Sequence, residues 1–219
     1  GLSLNPSLNW AADRLVPLQF GTIGEAIEAS NDGDRILVSA GTYEEFVDYS
    51  GKAIEIIGVE GADQTILNGL ASFLSVVRID APNGLSRLEG FTLQNGFGVS
   101  CGNPLTICGG GVIILQSEAL VKDCVIVGNN SSNGGGLHAE DSSVTIEGCL
   151  FMNNFASQGG GVSISGGSCQ ITLSDFIDNT AYGWGGGLFA GNEAAVVIED
   201  CNFTANSSES GGGFMMSGA

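Results

Sequence analysis

Six cysteines, one histidine and an excess of acids are the residues through which this 219-residue chain could do chemistry. Cys101 and Cys108 flank the irregular segment 102–107, and their spacing suits a disulfide that clamps a small loop. Closing a loop of that length is worth roughly 2–3 kcal/mol, and such a bridge implies an oxidising compartment. Cys124, Cys149 and Cys201 recur at a regular interval, with Ser174 as the fourth member of the column. A zinc site needs four converging ligands, whereas these thiols fall in a line without a CxxC, so they read as small core residues. Cys169 reads the same way in a neighbouring column. His138 has no second histidine and no Ser or Cys partner at a suggestive spacing, so no nucleophilic triad is expected. It reads as an exposed bystander on an outward strand face, in register with Ile113, Ser163, Phe189 and Met215.

Acids outnumber bases by 24 to 6, and the basic residues Arg14, Arg35, Lys52, Arg78, Arg87 and Lys122 all lie in the first 122 positions. The later half therefore lacks a basic group for proton abstraction. One outward column runs through Lys122, Glu147, Thr172 and Glu199, with Asp123 and Asp200 beside it, but Gly148, Thr172 and Leu173 interrupt it. It reads as a solvated face, with weak calcium binding as the other reading. No catalytic residue, metal ligand or cofactor is assigned. Tyr182, Trp184 and Phe189 form the candidate carbohydrate-binding platform, since sugars stack on aromatic rings; the bland alternative is a loop packing its rings on the surface. The outward positions are too mixed for the flat Thr ladder of an ice-binding face.

What must position these residues is a repeat. Gly-Gly-Gly occurs at 109–111, 134–136, 159–161, 185–187 and 211–213, a period of 25 or 26 residues. Each triplet is followed by an apolar residue: Val112, Leu137, Val162, Leu188 and Phe214. Further columns run through Ala119, Val144, Cys169 and Val196, through Val121, Ile146, Ile171 and Ile198, and through Ile126, Phe151, Phe176 and Phe203. Each repeat closes on Asn129, Asn154, Asn179 or Asn206. Within a repeat the apolar spacing is two, the period of strands with alternate side chains facing one core. A fixed period of this length marks a solenoid. The expectation is an all-β, single-stranded parallel β-helix of about seven coils of ~25 residues, 30–35 Å long at roughly 4.8 Å per coil. The triplets should supply corners where a Cβ would not fit. The Asn column should take the left-handed turn conformation while its amides bond from coil to coil.

One domain, 1–219, is expected. Residues 1–34 hold an N-terminal segment with a short helix at 22–30, announced by the capping box Thr22-Ile23-Gly24-Glu25. Residues 35–108 form irregular coils with the loop insert at 101–108, and 109–219 carry the regular repeats, ending in an incomplete coil. Such an end suits a truncation, a last coil disordered beyond this point, or completion by another chain in head-to-tail assembly. The net charge of −18 repels phosphate backbones and anionic headgroups, which excludes nucleic acid and membrane surfaces as partners. No apolar run reaches the ~18 residues of a membrane helix. Abundant Asn, Ser, Thr and Gly with few Lys suits an extracellular or cell-surface location.

Residues 22–69, containing the run from Asp32-Gly33-Asp34 through Val59-Glu60-Gly61, resemble the opening of pectin-lyase-like right-handed β-helix proteins. The GGG[VL] signals and the Phe-x-x-Asn pairs at 151–154, 176–179 and 203–206 resemble repeats of polymorphic outer-membrane proteins and related surface passengers. The two likenesses span about residues 20–219 and imply a right-handed coil, in keeping with the handedness of parallel crossovers. They imply less about activity, since the superfamily holds lyases, hydrolases, esterases, epimerases, adhesins and structural proteins. The lyases need calcium-binding acids plus a basic residue, usually Arg, and the related esterases and hydrolases use Asp clusters. The function expected is an extracellular structural or adhesive module, non-enzymatic, whose partners are other copies of itself or other extracellular proteins. The alternative is a carbohydrate-active or carbohydrate-binding β-helix acting on an extracellular polysaccharide. Glycosylation sequons occur at Asn129, Asn130, Asn202 and Asn206, but Asn129 and Asn206 belong to the inward column.

Overall fold

The alternating pattern of Glu118-Ala119-Leu120-Val121-Lys122, with Ala119 and Val121 buried, places one side of each short strand in a shared core. A computed structural model describes residues 11–72, 74–101 and 103–218 of the chain. In it the strands stack into three parallel sheets that wind about one apolar interior in about eight turns. The first sheet has eight strands, from Asp13–Val16 and Arg35–Val38 to Ser168–Thr172 and Ala195–Glu199. The second has seven, from Gly41–Tyr43 to Asn202–Thr204. The third also has seven, and includes Val112–Leu115, Leu137–Glu140, Val162–Ser165 and Leu188–Gly191. The columns read from the sequence are in register: Ala119, Val144, Cys169 and Val196 pair in turn, as do Val121, Ile146, Ile171 and Ile198.

Two ladders run inside. Phe151, Phe176 and Phe203 stack with centroids 4.9 and 4.5 Å apart and nearly parallel rings. Beside them the Asn129, Asn154, Asn179 and Asn206 amides bond from turn to turn. The left-handed residue is not the ladder Asn itself but the one before it: Gly128, Asn153, Asp178 and Ala205 have φ of 65°, 55°, 54° and 55°. That residue turns the chain, and the Asn then points inward to satisfy the carbonyls and N–H groups that the corner leaves unpaired.

Cys201, Phe203 and Asn206 are only half-buried, unlike their counterparts one turn earlier, so the inward columns read from the sequence are less covered at their last member. Their strands pair on one side only among the described residues, so no further turn covers them.

The triplets are corners of unusual closeness. A Cβ on Gly134, whose φ is +62°, would stand 2.1 Å from the Leu137 carbonyl oxygen. One on Gly135 would meet the carbonyls of Phe155 and Gly160 at 2.5 and 2.6 Å. The chain thus folds back onto the strand it is about to form.

The N-terminal helix is shorter than expected, Ile23–Glu28, and buries Ile23, Ala26 and Ile27 against the first turns. Thr22 accepts from the Glu25 N–H at 3.1 Å, and the Glu45 carboxylate accepts from the Ile23 and Gly24 N–H groups at 3.0 and 2.9 Å. Lys52 donates to the Ile27 and Glu28 carbonyls at the other end, so both sets of orphan helix groups find partners. The segment read as an irregular insert is an antiparallel hairpin, Val99–Cys101 with Asn103–Cys108, emerging just before the corner at Gly109.

Candidate functional site

Ile113, His138, Ser163 and Phe189 succeed one another across the outer face of the third sheet. Alternation alone would leave all four in solvent. Instead they are 0%, 4%, 2% and 8% exposed, because side chains stand up on both sides of the face. One flanking column is the residue preceding each triplet: Cys108, Asn133, Gln158 and Trp184, paired in succession. The other holds Glu140, Ser165 and, beyond Gly191, Asn192. Between them runs a groove of about 370 Å³, closed at one end by Cys101, Thr106 and Cys108 of the hairpin.

The expectation of an exposed His138 is therefore wrong. Its ring belongs to the groove wall and floor, and Nδ1 has no hydrogen-bond partner. Burial pushes its pKa down to about 4, since the imidazolium would lose its hydration without gaining a counter-charge. The imidazole is neutral at physiological pH.

The three aromatics assigned to one platform separate. Trp184, 44% exposed, stacks on Phe189 with centroids 5.8 Å apart and planes 25° from parallel. Phe189 is the buried support of that ring rather than a contact surface of its own. Tyr182 is not among the residues that line the groove and meets Phe155 edge to face at 4.8 Å. Along the groove the polar side chains are mostly free. Asn192 donates to the Ser165 hydroxyl at 2.7 Å, but the Glu140 carboxylate, the Gln158 amide and the Ser163 hydroxyl have no partner among the described residues. Asn133 and Gln158 were not singled out in the sequence. The signal was there, since they share the pre-triplet column with Trp184.

The remaining candidates lie elsewhere. The Sγ atoms of Cys101 and Cys108 are bonded, with Cα atoms 5.8 Å apart, at the hairpin end of the groove. Cys124 and Cys149 are buried in the core, where burial and the neighbouring Cys124 hold the Cys149 thiol protonated; burial pushes Cys169 up to about 12. The column of Lys122, Glu147, Thr172 and Glu199 is on the first sheet, away from the groove, and Lys122 is paired with Glu147. Among the described residues no three His, Cys, Asp or Glu side chains converge to hold a metal ion. Of the sequon residues, Asn129 is buried in the amide ladder and Asn206 half-buried in it, while Asn130 and Asn202 are exposed.

The chain is similar to several known proteins. A pectin methylesterase from Aspergillus niger is 13% identical and superposes over 92% of this chain and 88% of its own, with a TM-score of 0.49. PemA, the pectin methylesterase from Erwinia chrysanthemi, is 15% identical over 96% and 92% of the two chains at a TM-score of 0.44. The carrot pectin methylesterase is 11% identical over 98% and 90%, at 0.42. A search of curated proteins found no match. The family model for the right-handed beta helix region matches residues 110–219, half of the chain. The strand register, the glycine corners and this match together make the chain a member of the right-handed β-helix family.

Proposed function

We propose that this chain is an extracellular carbohydrate-binding β-helix, an adhesive module that holds a glycan in the groove of the third sheet. One observation carries the reading: a half-exposed indole, Trp184, seated on Phe189 in a groove whose lining also holds the unpaired side chains of Gln158, Ser163 and Glu140. A sugar presents an apolar C–H face and a rim of hydroxyls, and recognition combines a ring for the face with a few placed polar groups for the rim. Binding rather than turnover is supported by the lining itself. Among the described residues Glu140 is the one carboxylate in it and no Lys or Arg lines it, and glycoside hydrolysis ordinarily takes two carboxyl groups. The disulfide supports an oxidising compartment.

The test is calorimetric titration with a panel of plant and microbial oligosaccharides, for the wild type and Trp184→Ala, alongside a reducing-sugar assay. Binding weakened at least ten-fold by Trp184→Ala, without product release, is the expected result. Binding indifferent to Trp184, or steady release of products, would overturn it.

A further inference from the structure

We infer that the groove selects uncharged glycans over polyuronates and other anionic chains, an inference that rests on the carbohydrate-binding reading above. All six basic residues are committed elsewhere. Arg14 pairs with Asp34, Arg35 with Asp13, Arg78 with Asp80, Arg87 with Glu89 and Lys122 with Glu147, while Lys52 caps the N-terminal helix. None of them lines the groove. The His138 imidazole is neutral above pH 5, so it supplies no positive charge either. What the groove does hold is the unpaired Glu140 carboxylate, on a chain of net charge −18.

A uronate chain would set one carboxylate per sugar against this field with no counter-ion built into the protein, and like charges repel. A neutral sugar offers what the groove lacks. Its hydroxyls donate to the Glu140 carboxylate and the Gln158 carbonyl, and an ionised carboxylate is the stronger acceptor. The groove crosses successive turns, and the rise of ~4.8 Å per turn is close to the length of one hexopyranose in an extended chain. Gln158 and Trp184, on adjacent turns, therefore meet neighbouring sugars. At about 370 Å³ the site is at the small end of the roughly 300–1,000 Å³ of ligand pockets, which suits a short stretch of a longer chain.

The experiment is calorimetry at low ionic strength with cellohexaose, xylohexaose and mannohexaose against hexagalacturonate, using the wild type, Trp184→Ala and Glu140→Gln. At least one neutral hexasaccharide should bind ten-fold or more tightly than hexagalacturonate and lose that affinity in Trp184→Ala. Glu140→Gln should narrow the gap, because it removes the repelling charge and keeps the shape. Hexagalacturonate binding as tightly as the neutral chains, in a Trp184-dependent way, would overturn the selectivity and leave the carbohydrate-binding reading standing. No Trp184-dependent binding by any of the four would overturn both. Circular dichroism of each variant, unchanged from wild type, excludes misfolding as the cause.

Discussion

Asn154 donates from Nδ2 to Oδ1 of Asn179 at 3.0 Å, and the same oxygen accepts the Asn154 backbone N–H at 3.1 Å. One side-chain oxygen thus satisfies two donors of the turn before it, while Asn154 repeats the pattern for Asn129 and also donates to the Ile126 carbonyl at 2.8 Å. Replacing Asn154 with Ala would take the acceptor from the Asn129 backbone N–H and from one of its two Nδ2 protons, the other still reaching the Leu93 carbonyl, and would remove the amide donor from the Ile126 carbonyl inside the core. The expected loss is about 2–4 kcal/mol, read from urea unfolding. A loss under ~1 kcal/mol would mean that the ladder is replaceable by local rearrangement.

The phenylalanine ladder gives a graded expectation. Phe176 is fully buried between two parallel rings, whereas Phe203 is half-buried at the last turn. Phe176→Ala should cost ~3–5 kcal/mol and Phe203→Ala clearly less. Equal losses in chemical denaturation would show that the last turn is as well covered as the interior.

Two glycines separate space from backbone conformation. At Gly135 a Cβ would run into two backbone oxygens, which cannot move without shifting whole turns. Gly128 has φ of +65° with nothing within 4 Å of an added Cβ. Gly135→Ala should abolish folding or expression as a soluble chain, and Gly128→Ala should cost only ~1–2 kcal/mol. Comparable melting temperatures for the two variants would refute the close-corner geometry.

His138 makes stability depend on pH with a definite sign. Unfolded, its imidazole takes a proton near pH 6.5; folded, only near pH 4. As pH falls through that window the unfolded chain gains a proton that the folded chain refuses, so stability declines, by about 3 kcal/mol in all. Above it both states are neutral and the effect vanishes. Unfolding free energies from pH 7 to 4 should fall less steeply in His138→Leu than in the wild type. Parallel curves would place the ring in water.

How far the sequence reached depended on the range of the interaction. Period-two spacing and the 25- or 26-residue interval of Gly-Gly-Gly are local signals that repeat, and repetition turned them into register. The strand columns, the Asn and Phe ladders and the corner role of the triplets could all be read before any coordinates. A single odd strand such as Asp13–Val16 repeats nothing and was not visible.

The groove was beyond the sequence for a different reason. Alternation says which side of a strand faces the core; it says nothing about what rises beside the other side. That Ile113, His138, Ser163 and Phe189 are outward-pointing follows from their spacing, and that they are buried does not. Their burial required the column of Cys108, Asn133, Gln158 and Trp184 to stand next to the sheet and the hairpin to close one end. Those neighbours stand five residues before the face they cover, in the same repeat, but the glycine corner lies between the two columns, and spacing alone does not say which way that corner turns them. The sequence by itself determined the coil and its inward side; only the winding of successive turns decided where the outer face becomes concave, because concavity is a relation between chain segments that no single segment encodes.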